Sequence, residues 1–199
     1  MSRGWKAVHK DLIAAKKITA SEKILIVIGS EQKYYLVKGG SVDKTGPVST
    51  GAKGFGNKPG SKKTSTGLMK VANIIGAKAD AYSVFRGKRD TGLNYGPNSG
   101  RKAEVLTRLI EMQGLEKGKN TGNNNPRKRV IYLHGTNREA QLGKPASGGC
   151  VRFSNKDIVQ LADKLMKIGD KIYIEPGRRK SREPSLRQKA KSLKRRFGL

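Results

Sequence analysis

Apolar residues recur along this chain in two rhythms, and each predicts a different element. Near the start, Trp5, Val8, Leu12 and Ile13 return every three or four positions among lysines and a histidine, the spacing of a short amphipathic helix. Lys23 to Ile28 is rich in β-branched residues and predicts a strand; Gln32 to Val37 reads as its hairpin partner, with Gly29 and Ser30 in the turn. Gly39 to Gly67 is dense in Gly, Ser, Thr and Lys and reads as a long loop region with a short strand at Pro47 to Thr50. Gly67 to Val71 and Ala81 to Phe85 are further strand candidates, followed by a Gly-rich basic stretch from Arg86 to Gly100. Lys102 to Met112 reads as helical, because Val105, Leu106, Leu109 and Ile110 fall on one helical face. Gly118 to Lys128 is a polar loop with no evident reason to pack. Val130 to Leu133 predicts a strand that ends directly at His134. Ser154 or Asn155 caps a helix with Ile158, Leu161, Ala162, Leu165 and Ile168 on its apolar face; Gly169 stops it, and Lys171 to Ile174 is the last strand.

The elements add up to a mainly β domain with one or two short helices. We divide the chain into an N-terminal helical segment (1–22), a main domain (23–176, with an insertion at about 86–128) and a basic tail (177–199). Ten residues of the tail are basic and one is acidic, so self-repulsion opposes packing there.

Charge changes the picture next. The 199 residues carry 43 Lys and Arg against 15 Asp and Glu, a formal net charge of +28. Such a surface favours polyanions: nucleic acid, anionic lipid or the anionic polymers of a bacterial envelope. No nucleic-acid-binding module is recognisable and aromatics for base stacking are few, so a nucleic-acid partner is disfavoured, although a basic polymer-binding protein stays as the rival to an enzyme. No apolar run approaches the roughly 18 residues needed to cross a membrane. The N-terminal residues lack the apolar core of a secretory signal, so no signal peptide is visible. The single cysteine, Cys150, excludes an internal disulfide.

Candidate chemistry concentrates between Val130 and Phe153. A thiol becomes a strong nucleophile as thiolate, and a neighbouring imidazole can take its proton. His134 stands at a strand end, and Cys150 follows Gly148 and Gly149, which permit a sharp turn and close approach to a substrate. Backbone amides around such a turn can stabilise an oxyanion; removing one such donor costs about 3 kcal/mol in a studied case. Without its surroundings, a lone Cys reads more readily as a small buried hydrophobe. Metal binding is disfavoured, since His9, His134 and Cys150 are too few and too far apart, and no cofactor is indicated. His9 reads as a solvated helix residue, and Tyr34 and Tyr35 as packing residues of a strand. The segment Gly54 to Gly60 lacks the glycine spacing of a nucleotide loop and reads as a flexible or substrate-lining loop.

The motif around these residues resembles the catalytic segment of the L,D-transpeptidase (YkuD-like) family. It has a strand, then His134-Gly135-Thr136, then Leu142-Gly143-Lys144-Pro145-Ala146-Ser147, then Gly149-Cys150-Val151-Arg152. The helix with Asn155, Asp157 and Leu161, the strand after Gly169-Asp170 and the earlier Pro47-Val48-Ser49-Thr50-Gly51 are similar to that family too. The likeness covers roughly residues 23 to 175 and implies a β-rich L,D-transpeptidase-like sandwich or barrel. It implies Cys150 as nucleophile, His134 as base and the Gly135 carbonyl as the group that orients the imidazole. Amides of Gly149 and Cys150 would form the oxyanion hole, and Arg152, Ser147, Thr136 and Gly148 would line the substrate site. The implied substrate is a peptidoglycan tetrapeptide stem, passed through a Cys150 thioester to an amine or to water, in the bacterial cell envelope (periplasm or cell wall). The implied partners of the basic surface are anionic envelope polymers or a membrane face. One departure stands out: the family most often has Ser-His-Gly-Cys, and this chain has Ser147-Gly148-Gly149-Cys150. That puts full activity and donor preference in question, and leaves a catalytically degenerate relative as a further reading. An active pair is expected to make Cys150 alkylate faster near neutral pH than a free thiol, an advantage that His134→Ala would remove.

Overall fold

The computed structural model describes residues 4–102 and 104–177. In chain order it contains helix α1 (Trp5–Ala14) and strands β1 (Ile24–Ile28), β2 (Lys33–Lys38), β3 (Ser41–Pro47), β4 (Gly67–Ile75), β5 (Ser83–Arg86), β6 (Arg89–Asn94), β7 (Val105–Gly114), β8 (Tyr132–Gly135) and β9 (Val151–Arg152). Helix α2 (Asn155–Gln160) and strand β10 (Lys171–Glu175) complete it. The strands form one sheet in the order β3-β2-β1-β10-β4-β7-β5-β6, and β8 adds to β7 and carries β9. The predicted basic tail lies outside the described residues, apart from Gly177.

The sequence Ile-Leu-Ile-Val-Ile makes β1 a fully buried strand, because alternate side chains feed two separate cores. Leu25 and Val27 point into the larger core with Leu36, Met69, Ile110, Phe153 and Ile158. Ile24, Ile26 and Ile28 point to the opposite face, where Val8 and Leu12 of α1 cover them. The helical spacing near the N-terminus thus has a packing purpose. It also corrects the reading of His9 as solvated: that ring is buried between helix and sheet, and burial lowers its pKa.

Lys102 to Met112 is not a helix. Val105–Gly114 is β7, paired antiparallel with β4, β5 and β8. A register shift between Leu106 and Leu109 explains the misleading spacing: it falls where Thr107 has φ +72°, so alternation is broken within the strand. With neighbours on both sides β7 is almost wholly buried, and its polar residues need partners. Arg108 finds Asp163 at 2.9 Å and Glu111 finds Lys88 at 2.6 Å.

Two Gly-rich stretches read as loop and basic linker contain strands, β3 and β6, whose side chains are mostly exposed and therefore leave little hydrophobic pattern. The polar loop Gly118 to Lys128 does have a reason to pack. Asn120 is fully buried and donates to the carbonyls of Thr66 and Leu68, both at 3.0 Å, tying that loop to the start of β4.

Candidate active site

His134 and Cys150 arrive on neighbouring strands. β8 and β9 run parallel, with Leu133 opposite Val151 and His134 opposite Arg152. The Phe153 amide donates to the His134 carbonyl at 2.9 Å and extends the pairing. Cys150 stands one residue before β9, at the end of a turn opened by Ser147. Both side chains border one cavity of about 360 Å³, together with Lys62, Glu104, Arg129, Val130, Gly148 and Arg152.

The imidazole is fixed by its own strand end. Nδ1 of His134 lies 2.6 Å from the Gly135 carbonyl oxygen, which can only accept, so the neutral ring carries its proton on Nδ1 and leaves the Nε2 lone pair available. Gly135 must be glycine for packing: a Cβ there would sit 2.9 Å from the Leu106 carbonyl oxygen and collide with the Asn155 amide. Asn155, at the start of α2, is buried and fully used. It accepts from Thr107 Oγ1 at 2.5 Å and donates to the Thr136 carbonyl at 2.8 Å and to Glu139 at 2.7 Å. It thereby joins the bulge of β7, the end of β8 and α2 around the histidine.

The thiol is held by backbone on the other side. The Tyr132 amide donates to Sγ at 3.3 Å, and Sγ lies 3.6 Å from the Val130 carbonyl oxygen. Val130 is β-branched, 59% exposed and at φ +58°, a conformation that is strained for such a residue and turns the segment toward the sulfur. Ser147 closes the turn: its hydroxyl donates to the Cys150 carbonyl at 2.5 Å and accepts from the Gly149 amide at 3.1 Å. Gly149 has φ +128°, and a Cβ would meet the Lys62 backbone at 3.3 Å. Its carbonyl takes a 2.8 Å bond from Thr64 Oγ1, so the 54–66 loop packs directly on the turn that carries Cys150.

Burial sets the protonation states. It lowers His134 to about 4, against a small opposing effect of the Gly135 carbonyl and with help from the Arg152 charge. Burial raises Cys150, which the Tyr132 amide and Arg152 only partly offset. Both shifts favour the uncharged forms at neutral pH, a thiol and a neutral imidazole bordering the same cavity. On this balance burial favours slower alkylation than that of a free thiol, the opposite of the rate expected from the motif, and alkylation rates decide between them.

The residues expected at the site divide into groups. His134, Cys150, Ser147, Gly148 and Arg152 border the cavity. Gly135 and Gly149 lie behind it as backbone supports. Thr136 is fully buried; its hydroxyl accepts from the Arg138 amide at 3.1 Å and does not line the cavity. Gly148 opens onto free space, with nothing within 4 Å of a would-be Cβ. Sequence reasoning missed Glu104, Arg129 and Lys62 on the wall, Tyr132 as a support and the supporting role of Asn155; only Asn155 stands among the family-like residues, and Lys62 follows the loop singled out as substrate-lining. Among the described residues no group of three or more His, Cys, Asp and Glu is placed to hold a metal ion. No described helix is long and apolar enough to cross a membrane.

Comparison with known proteins identifies the family and the fold. Residues 21–174 match the family model of the L,D-transpeptidase catalytic domain (YkuD). YqjB of Bacillus subtilis, named as an L,D-transpeptidase, is 36% identical over 62 residues, which cover 31% of this chain and 35% of that protein. YkuD of the same organism, named likewise, is 53% identical over 47 residues, 24% of this chain and 28% of that protein. The matched stretch thus spans about a third of each relative. The L,D-transpeptidase structure (residues 123–326) from Xylanimonas cellulosilytica superposes with a TM-score of 0.50 at 18% identity, covering 86% of this chain and 70% of that one, and so shares the fold.

Proposed function

Since the chain belongs to the L,D-transpeptidase catalytic-domain family, we propose that it is a peptidoglycan L,D-transpeptidase working through a Cys150 thioester. The observation that carries this reading is the sharing of one cavity by Cys150 and a histidine whose ring is oriented by the Gly135 carbonyl.

The steps follow from the protonation states. With both groups neutral at rest, His134 acts as a general base during attack. Sγ adds to the carbonyl between the third and fourth stem residues as its proton passes to Nε2. The tetrahedral intermediate then collapses: the C–N bond breaks, the imidazolium gives its proton to the departing D-amino acid, and a thioester remains. An acceptor amine, or water, adds to the thioester carbonyl and loses a proton to His134. The C–S bond breaks and Cys150 regains its proton, which leaves a cross-link or an L,D-carboxypeptidase product.

The oxyanion needs a donor at the turn. Because the Gly149 amide is engaged by Ser147 Oγ, we assign the larger share to the Cys150 amide; Gly149 holds the turn open for it. Ser147 acts as the brace of that turn. Arg152 donates to Gln141 at 2.9 Å and borders the cavity, which suits a carboxylate-bearing substrate.

The substrate places the enzyme in the bacterial cell envelope, and the +28 charge suits adhesion to its anionic polymers or a membrane face. Incubation with defined tetrapeptide-stem muropeptides tests the reading: mass spectrometry should show loss of the terminal D-amino acid or dimer formation, and Cys150→Ala should show neither.

A further inference from the structure

Arg129 is a half-buried cation whose hydrogen-bond partners are all neutral. Its Nη1 donates to Ser65 Oγ at 2.6 Å, and its Nη2 to Ser61 Oγ at 3.2 Å and the Lys63 carbonyl at 2.8 Å. All three acceptors are neutral and all come from the 61–65 segment. A guanidinium has five N–H donors; these bonds use three, Nε is buried without an acceptor among the described residues, and one Nη1 N–H remains to meet a ligand. Arg138 also has a buried Nε without an acceptor among the described residues, whereas three other arginines are paired with carboxylates. Arg108 has Asp163 at 2.9 Å, Arg86 has Glu104 at 2.9 Å and Arg127 has Glu111 at 3.7 Å.

The cavity wall shares that imbalance. Lys62, Arg129 and Arg152 border it, while its carboxylate, Glu104, is engaged by Arg86. Arg152 likewise donates to neutral oxygens, of Gln141 and Ala146. Two partly desolvated guanidinium groups therefore face one cavity with no carboxylate of their own among the described residues. Arg129 is also next in chain to Val130, whose carbonyl lies 3.6 Å from the nucleophilic sulfur. A group held by Arg129 would lie on the thiol's own wall of the cavity.

We propose that Arg129 is a specificity-determining residue that binds a free carboxylate of the donor stem, held in place by Ser61, Lys63 and Ser65. The inference rests on the transpeptidase reading and names the donor it prefers: a stem with an unamidated carboxylate close to the scissile amide. Two stem positions offer that chemistry, the C-terminus of the leaving D-amino acid and a side-chain carboxylate on the third residue. A lysine ammonium has three donors and no fork, so it cannot keep the bonds to Ser61, Lys63 and Ser65 and also hold a carboxylate, and lysine should replace this arginine poorly.

The test uses the full chain with three synthetic tetrapeptide stems: both carboxylates free, the C-terminal one amidated, and the third-residue side-chain one amidated. Wild type should lose about 10- to 100-fold in kcat/KM on one amidated stem, chiefly through KM, the size expected for one charged hydrogen-bond pair. That stem identifies the carboxylate. Arg129→Gln should lose a similar factor on the free stem and nothing further on that amidated one, with Arg129→Lys in between. Equal turnover of all three stems by wild type would overturn the inference and leave the transpeptidase reading intact. So would an Arg129→Gln loss that is the same on free and amidated stems, which would mark Arg129 as a brace of the 61–65 segment alone. Absence of any turnover or Cys150 acylation in wild type would overturn the reading itself, and the inference with it.

Discussion

The amide of Tyr132 donates to the sulfur of Cys150 at 3.3 Å, across the junction where β8 meets the nucleophile turn. That bond lowers the thiol's pKa, yet burial raises it more. Iodoacetamide should therefore alkylate Cys150 at pH 7 more slowly than a free cysteine, with a midpoint above the ordinary thiol range. Rates measured against pH, by intact mass, check this. Acylation by a bound stem should still be fast, because proton transfer to His134 accompanies attack.

The imidazole has a pKa near 4 in the folded protein against 6.5 when exposed. As a base it works when neutral, so the acid limb of kcat/KM should fall near pH 4 and not near 6.5. Stability follows the same shift. The unfolded chain binds more protons between these values, so the contribution is complete above pH 6.5 and lost as pH falls toward 4. At about 1.4 kcal/mol per unit the loss amounts to about 3 kcal/mol. Thermal melts at pH 7 and pH 4 should show a smaller drop for His134→Gln than for wild type.

Asn155 holds the bulge of β7, the end of β8 and α2 together through Thr107, Thr136 and Glu139. Asn155→Ala leaves buried polar groups unpaired and should cost about 2–3 kcal/mol in urea unfolding. It should lower kcat more than it raises KM, because the histidine's support is what loosens.

Much of the sheet was legible because its strands carry their own signals. β1, β4 and β10 are apolar runs, and the ends of β8 and β9 carry the His134 and Cys150 motif. β7 was misread because the bulge at Thr107 turns a period of two into something closer to a helix. β3 and β6 were hidden because exposed strands need no apolar alternation. His9 was misjudged because its neighbours Lys6 and Lys10 are polar, yet the residue is buried in the folded chain. At the site, sequence pointed to His134 and Cys150, but Lys62 and Glu104 reach the cavity through folding that brings distant segments together, and Arg129, though near in sequence, carries no motif. Thr136, adjacent in sequence to the histidine motif, is fully buried.

The two glycines before the nucleophile should respond in opposite ways. Gly148 faces open space at the cavity, so Gly148→His, the residue most common there in the family, should fold normally and narrow the cavity. Gly149 lies at φ +128° against the Lys62 backbone, so Gly149→Ala should lose about 1–3 kcal/mol and displace the turn. Melting temperatures and turnover of the pair separate the two roles.

The central claim is that Cys150 carries the acyl group and His134 moves the proton. Intact-mass spectrometry after rapid mixing with a tetrapeptide stem tests it most directly. The expected result is a covalent adduct on Cys150 equal to the stem without its fourth residue, formed more than 100-fold more slowly by His134→Ala and absent in Cys150→Ala. Release of the fourth residue by Cys150→Ala at an undiminished rate would contradict it.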